Sequence, residues 1–139
     1  MKLAFEKMDG LIPAVIQDHE TKDVLMLGFV DETAIGCTQR SGEVHFFSRS
    51  RKRLWKKGET SGHVLRVKEI LVDCDADALL IRVEAVGSGV CHEGYRTCFF
   101  RKMESDGTLR VIAEKTFSES EVYGTKEPDE PFAAGNSEG

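Results

Sequence analysis

Disulfide chemistry is all but absent from this chain, which has four cysteines in 139 residues and no CxxC pair. So low a count excludes the disulfide-stapled scaffold of small secreted proteins. The missing CxxC spacing also argues against a closed structural zinc site, which usually draws four ligands from closely spaced pairs. No stretch approaches the ~18 apolar residues of a membrane span. The opening MKLAFEKMDG has charges where a secretory leader needs an apolar run. The expectation is a cytoplasmic protein with reduced thiols and no membrane partner. Repeats and low-complexity segments are missing too, and at this length a single domain can bury a core without staples.

An excess of one charge is also missing from the body of the chain. The net charge of -5 is matched by residues 118–139 alone, which hold six acids and a single base, Lys126. With Pro128, Pro131, Gly135 and Gly139 and little apolar content, this segment reads as an acidic flexible tail. The catalytic unit is then expected within residues 1–117, and a neutral body favours a discrete phosphorylated ligand over a nucleic acid.

Strand signals dominate that body. Leu11 to Gln17 and Val24 to Val30 are apolar runs around a polar Asp18 to Asp23, the pattern of a hairpin. Asp31 can cap a short helix running to about Arg40, with Gly42 just past its end. Val44 to Phe47 is a further strand, and Val64 to Val72 and Leu79 to Val86 form two arms around an aspartate cluster. Cys98 to Met103 and Leu109 to Glu114 flank the turn signal Ser105-Asp106-Gly107. The fold class is α+β, a β-rich single domain with one or two short helices.

What is present in abundance is ligand chemistry. Asp73-Cys74-Asp75-Ala76-Asp77, Cys91-His92 and Cys98 collect three carboxylates, three thiols and an imidazole within 26 positions. Well-separated soft ligands suit a zinc site that keeps its fourth position for water and lowers that water's pKa to roughly 7. Hard oxygens suit magnesium or calcium instead, so two metals of different character are expected. If the backbone is extended here, its period of two sends Asp73, Asp75 and Asp77 to one face and Cys74 to the other. If the segment is a hairpin tip, the carboxylates still converge and Cys74 is less constrained; turn tips are also simply rich in aspartate. Cys37, inside the proposed helix and far from other ligands, reads as a buried small hydrophobe. His92 has three open readings: ligand, proton shuttle, or a partner of a ligand.

A second region, residues 48–63, is basic. Positions 49 to 57 hold six bases and no acid, with Trp55 among them. Arginine forks, hydroxyls and glycine-exposed amides are what phosphate recognition needs, and an indole can stack on a base or pack in a core. The candidates are Arg49, Arg51, Trp55, Lys56, Lys57, Thr60 and Ser61. A solvated charged edge that discourages strand aggregation is the plain structural alternative.

Four stretches taken together carry a resemblance: GLIPAVIQD (10–18), HFFSRSRKRLWKKGETSGH (45–63), DCDAD (73–77) and CHEGYRTCF (91–99). In order, over about residues 8–115, they resemble the phosphoribosyl-AMP cyclohydrolase family of histidine biosynthesis. The resemblance implies hydrolytic opening of the adenine ring of 1-(5-phosphoribosyl)-AMP at its N1–C6 bond. It further implies intertwined homodimers using zinc and magnesium, with the zinc site shared between subunits. Asp73, Asp75 and Asp77 would be magnesium ligands; Cys74 of one subunit would join Cys91 and Cys98 of the other on zinc. The run Phe29 to Ile35 and Val90 depart from the usual pattern in side-chain detail and leave these ligands intact. His92 is the first candidate for general acid or base and His63 the second. Three other classes compete. A zinc purine-nucleotide deaminase typically shows HxE and PCxxC signatures, which are absent. A nucleic-acid-binding module leaves the aspartates and cysteines unexplained, and a structural metal protein needs a fourth ligand such as His92.

Overall fold

The structure is a computed structural model and describes residues 2–117; the acidic tail expected at 118–139 lies outside the described residues. A short 3-10 helix, Phe5–Met8, leads into strand β1 (Ile12–Asp18) and strand β2 (Val24–Val30). These pair antiparallel, as the polar break at 18–23 predicts. Their register slips between Ile16 and Gln17, so Leu25 is left over as a bulge residue and both Leu25 and Met26 are fully buried.

Helix α1 (Glu32–Ser41) follows at once. Asp31 caps it, accepting the Ala34 N–H at 2.8 Å, and Gly42 closes it at φ 76°, where a side chain would be strained. The helix turns Ala34, Ile35 and Thr38 inward. The buried Thr38 hydroxyl donates to Ala34 O at 2.8 Å and accepts the His45 N–H at 2.9 Å, tying the helix to the next strand. Cys37 is only half-buried, with Arg40 Nη2 3.6 Å from its sulfur, rather than the buried hydrophobe expected.

Strands β3 (His45–Ser48) and β4 (Arg53–Lys56) make a separate hairpin. β4 runs through the basic strip, where the density of charge hid its alternation from a sequence reading. Strands β5 (Leu65–Val72) and β6 (Leu79–Ala85) are the antiparallel arms around the aspartates. β6 inserts beside β1 in parallel, giving a sheet ordered β2-β1-β6-β5. The core fills one face: Ile12, Ala14 and Ile16 of β1, Leu79, Ile81 and Val83 of β6, then Phe46 and Trp55 of the small hairpin. Gly28 is required there, because a Cβ would sit 2.5 Å from the Phe46 ring.

A last hairpin, β7 (Arg101–Met103) and β8 (Leu109–Val111), turns through residues 104–108 as anticipated, but its strands are shorter than expected. Cys98 leaves that ladder because its N–H is taken by Leu25 O at 2.7 Å. Among the described residues no helix is long and apolar enough to cross a membrane.

Candidate functional site

The β5–β6 connection forms a tip and is not extended. The last strand pair is Val72 with Leu79, and Ala76 sits at φ 63°, which breaks the period of two. Of the two sequence readings of this segment, the two-faced strand is therefore corrected to the hairpin tip. Asp73 organises it: its Oδ1 accepts the N–H groups of Asp77 at 3.0 Å and Ala78 at 3.2 Å. Ala76 is buried, and its carbonyl accepts the Ala4 N–H at 2.7 Å, so the start of the chain seals the tip from below.

Carboxylate oxygens of Asp73, Asp75 and Asp77 all lie within 4.8 Å of one another. Lys7 Nζ bridges two of them, at 3.3 Å from Asp75 and 3.2 Å from Asp77. Those two hydrogen bonds raise the lysine pKa above its ordinary value. An all-oxygen set that gathers around a cation fits a hard divalent ion of the magnesium or calcium class. Cys74 is exposed on the same tip. Among the described residues only the three aspartates form a metal-sized group, so the three sulfurs do not converge within one protomer.

The other two thiols do meet. Residues 88–98 form a tight loop in which Cys91 N–H donates to Tyr95 O at 3.0 Å, Gly94 N–H to Cys91 O at 3.0 Å, and Val90 N–H to Arg96 O at 3.1 Å. Gly94 adopts φ 104° to allow that reversal. Tyr95 stacks on Phe100 with centroids 3.7 Å apart. Cys91 is buried, and a hydrogen bond from Cys98 holds its thiol down to about 7. Burial and the Glu93 carboxylate oppose that shift, while the Glu93 N–H and the Lys57 charge add to it. Cys98, which donates that bond and is half-buried, is pushed well above the ordinary thiol range by the bond to Cys91 and by desolvation. One of the pair is thus readily ionised, as a soft-metal ligand must be.

This loop is latched by a residue that sequence reasoning passed over. Arg96 Nη1 bonds Asp23 Oδ2 at 2.7 Å, and Nη2 bonds Asp18 Oδ2 at 3.1 Å and Thr21 Oγ1 at 3.2 Å. Thr97 Oγ1 donates to Val24 O at 2.9 Å and Leu25 O at 3.2 Å. The bulge at Leu25 frees the carbonyl that receives both Thr97 and Cys98. The polar run at 18–23 looked like an ordinary turn, and its role depends on a partner more than 70 positions away.

His63 stands beside the loop, its Nδ1 2.8 Å from Gly89 O. A carbonyl only accepts, so Nδ1 is the donor, and in the neutral ring the lone pair is then on Nε2. Gly87 lets the ring approach, since a Cβ there would collide with His63 Cδ2, and Phe117 packs edge-on at 5.0 Å. His92 is half-buried next to Cys91.

The basic strip is split by the β3–β4 hairpin. Arg49 and Arg51 are exposed on its turn, with the Arg49 guanidinium 4.0 Å over the Phe29 ring. Thr60 is exposed and Ser61 half-buried in the following loop, where Ser61 Oγ accepts the His63 N–H at 3.1 Å. Lys56 pairs with Glu43 at 3.0 Å. Two candidates point inward: Trp55 is 2% exposed and packs on Phe46 at 5.3 Å, and Lys57 is 3% exposed. The indole is thus a core residue, and neither side chain belongs to a solvent-facing phosphate strip.

A sequence profile of the phosphoribosyl-AMP cyclohydrolase family matches residues 26–100, a span that includes the aspartate tip, the thiol loop and the basic hairpin. Curated relatives are similar over most of their length. The phosphoribosyl-AMP cyclohydrolase of Solibacter usitatus is 53% identical over 126 residues, covering 91% of this chain and 99% of the relative. The proteins of the same name from Methanocella arvoryzae and Desulforapulum autotrophicum are 52% identical over 118 residues and 50% identical over 123. These alignments cover 85% and 88% of this chain, and 95% and 98% of the relatives.

Proposed function

Because the chain belongs to the phosphoribosyl-AMP cyclohydrolase family, we propose that it is the enzyme that opens the adenine ring of 1-(5-phosphoribosyl)-AMP in histidine biosynthesis. The observation that carries this reading is that the family match, residues 26–100, spans the aspartate tip, the thiol loop and the basic hairpin together. Water adds its oxygen to C6, the N1–C6 bond breaks with its electron pair on N1, and a proton passes from the water to N1. The product is the formimino-carboxamide ribonucleotide.

Zinc on Cys91 and Cys98 of one subunit and Cys74 of another would supply a water acidic enough to ionise near neutral pH. The chemistry of the donors supports that choice, since a hydrogen bond from Cys98 lowers the Cys91 thiol to about 7. Magnesium suits the oxygen cluster of Asp73, Asp75 and Asp77 and would offset phosphate charge. His63 can take a proton on Nε2, because Nδ1 is committed to Gly89 O. His92 is the other proton carrier, close in sequence to the thiol that would hold the cation. Such a group contributes about 10²- to 10⁴-fold to rate. Arg49, Arg51, Thr60 and Ser61 remain on the accessible side of the hairpin and loop to receive phosphates.

A homodimer with a shared zinc site is part of the same proposal. Support comes from Cys74, whose sulfur does not group with the other two within a protomer. It also comes from the β7–β8 hairpin, where Met103, Leu109, Val111 and the adjacent Ile112 are each more than half exposed. An isolated two-stranded ribbon is marginal in water, so an apolar one needs a cover. The proposed setting is the cytoplasm.

An ultraviolet assay of ring opening with phosphoribosyl-AMP tests the activity directly. Metal-replete protein should turn over, and a zinc chelator should abolish the rate until zinc is restored. Absence of turnover by zinc-loaded, folded protein would end the proposal.

A further inference from the structure

We propose that Phe117 is a positioning residue for His63. Residues 115–117 form a strap, anchored on the thiol loop, that holds the imidazole with Nδ1 on Gly89 O and leaves Nε2 to exchange the proton. This rests on the reading of His63 as a proton carrier and adds the side chain that aims it.

The path of the chain is the first observation. Strand β8 ends at Val111, and the Ile112 N–H still donates to Phe100 O at 2.8 Å. The chain then turns back onto the thiol loop. The Thr116 N–H donates to Gly94 O at 2.7 Å, and the Phe117 N–H shares that acceptor at 3.3 Å. The Thr116 hydroxyl donates to Ser88 O at 2.5 Å, so the strap is tied both to the start of the loop and to its reversal. Lys115 adds its ammonium 6.0 Å from the centre of the Tyr95 ring.

The second observation is that the loop is bare where the strap passes. A Cβ at Gly89 would lie 2.8 Å from Phe117 Cε1 and 2.8 Å from Thr116 Oγ1, and one at Gly94 would lie 2.5 Å from Phe117 O. Carbon contacts are optimal only at about 3.5 to 4.0 Å. A side chain at either glycine would push the strap away.

The third observation is what the strap delivers. The Phe117 ring meets the His63 ring at 86° with centroids 5.0 Å apart, the edge-to-face geometry that aromatic pairs prefer. Phe117 is only half-buried and does not belong to the hydrophobic core, so filling the core does not account for its place. The χ2 torsion of histidine is broad and nearly two-fold. A half-turn would exchange Nδ1 for Cδ2 and break the bond to Gly89 O, and one hydrogen bond is a weak guard against it. Contact with Phe117, beside the bare backbone of Gly87 at Cδ2, favours the single orientation observed.

The test compares the metal-loaded wild type with Phe117→Ala and Phe117→Tyr. Phe117→Ala should lower kcat for ring opening about 10- to 100-fold with KM nearly unchanged, the range that a misplaced catalytic group costs. Phe117→Tyr, which keeps the ring, should recover most of the loss. In a His63→Ala background the same truncation should have no further effect, because the two residues act as a unit. Long-range proton–nitrogen NMR spectra of the full chain give a readout independent of turnover: His63 should be a single Nδ1–H tautomer in the wild type and a mixture in Phe117→Ala. A tautomer unchanged by Phe117→Ala overturns the proposal. A loss of kcat as large without His63 as with it assigns Phe117 to structure alone and overturns it too, as does an altered tautomer with kcat untouched. A folded, metal-loaded wild type that turns nothing over would sink the cyclohydrolase reading instead, and the spectra would still decide whether Phe117 orients His63.

Discussion

Asp18 shows how much one side chain can connect. It ends β1, caps the following turn by accepting the N–H groups of Glu20 at 2.8 Å and Thr21 at 3.0 Å, and receives Arg96 from the thiol loop at 3.1 Å. Burial raises its pKa, but the Thr21 and Glu20 N–H groups and the Arg96 charge together hold the carboxyl below its ordinary value of 3.8. A carboxylate depressed in the folded state adds stability that is present above the unfolded pKa and lost as pH falls through the folded one. Wild-type stability should therefore drop as pH descends through and below the carboxylate range. Asp18→Asn should be less stable at neutral pH and show a shallower fall, measured as urea midpoints across that range. Parallel curves for the two proteins would show that the Arg96 latch does not depend on the carboxylate charge.

At the scale of elements, local signals and long-range partners divide cleanly. Helix α1 starts and stops where its own residues dictate, at Asp31 and Gly42. Asp31→Ala should cost about 1 kcal/mol of stability in thermal or urea unfolding, the usual value of a side-chain cap, with zinc binding unchanged. The thiol loop is the opposite case. Its internal hydrogen bonds close a turn around Gly94, but its placement comes from Arg96, Thr97 and Cys98 docking on the β1–β2 hairpin. Arg96→Met should therefore weaken zinc retention against a chelator several-fold more than it lowers the melting temperature. A loss of stability with zinc affinity intact would assign Arg96 to folding alone.

At the scale of the molecule, the sheet order β2-β1-β6-β5 puts both ends of the chemistry on neighbouring strands. β6 starts just after the aspartate tip and leads out toward the thiol loop, so one strand separates the hard cluster from the soft pair. Cys74 stays with the aspartates, which is why a second copy is invoked to complete the thiol set. If the apolar β7–β8 face is covered by that copy, Val111→Lys should weaken self-association at least tenfold, or about 1.4 kcal/mol. Light scattering across a dilution series measures this. A variant as tightly dimeric as the wild type would place the interface elsewhere.

Much of the fold is legible from residue patterns alone. The β1–β2 hairpin, the capped helix, the β5–β6 arms and the 104–108 turn follow from apolar runs and turn residues, because those signals act over a few positions. Ligand chemistry also reads directly, since carboxylates and thiols announce the class of cation they suit wherever the chain puts them. The small β4 strand was masked because charge conceals the alternation that buries Trp55 and Lys57. The tertiary structure alone decided that the aspartates sit on a tip, that β6 pairs with β1, that Arg96 latches the thiol loop and that Lys57 faces inward. Each of these depends on contacts between segments far apart in sequence, and no local pattern carries the geometry of a partner it does not contain.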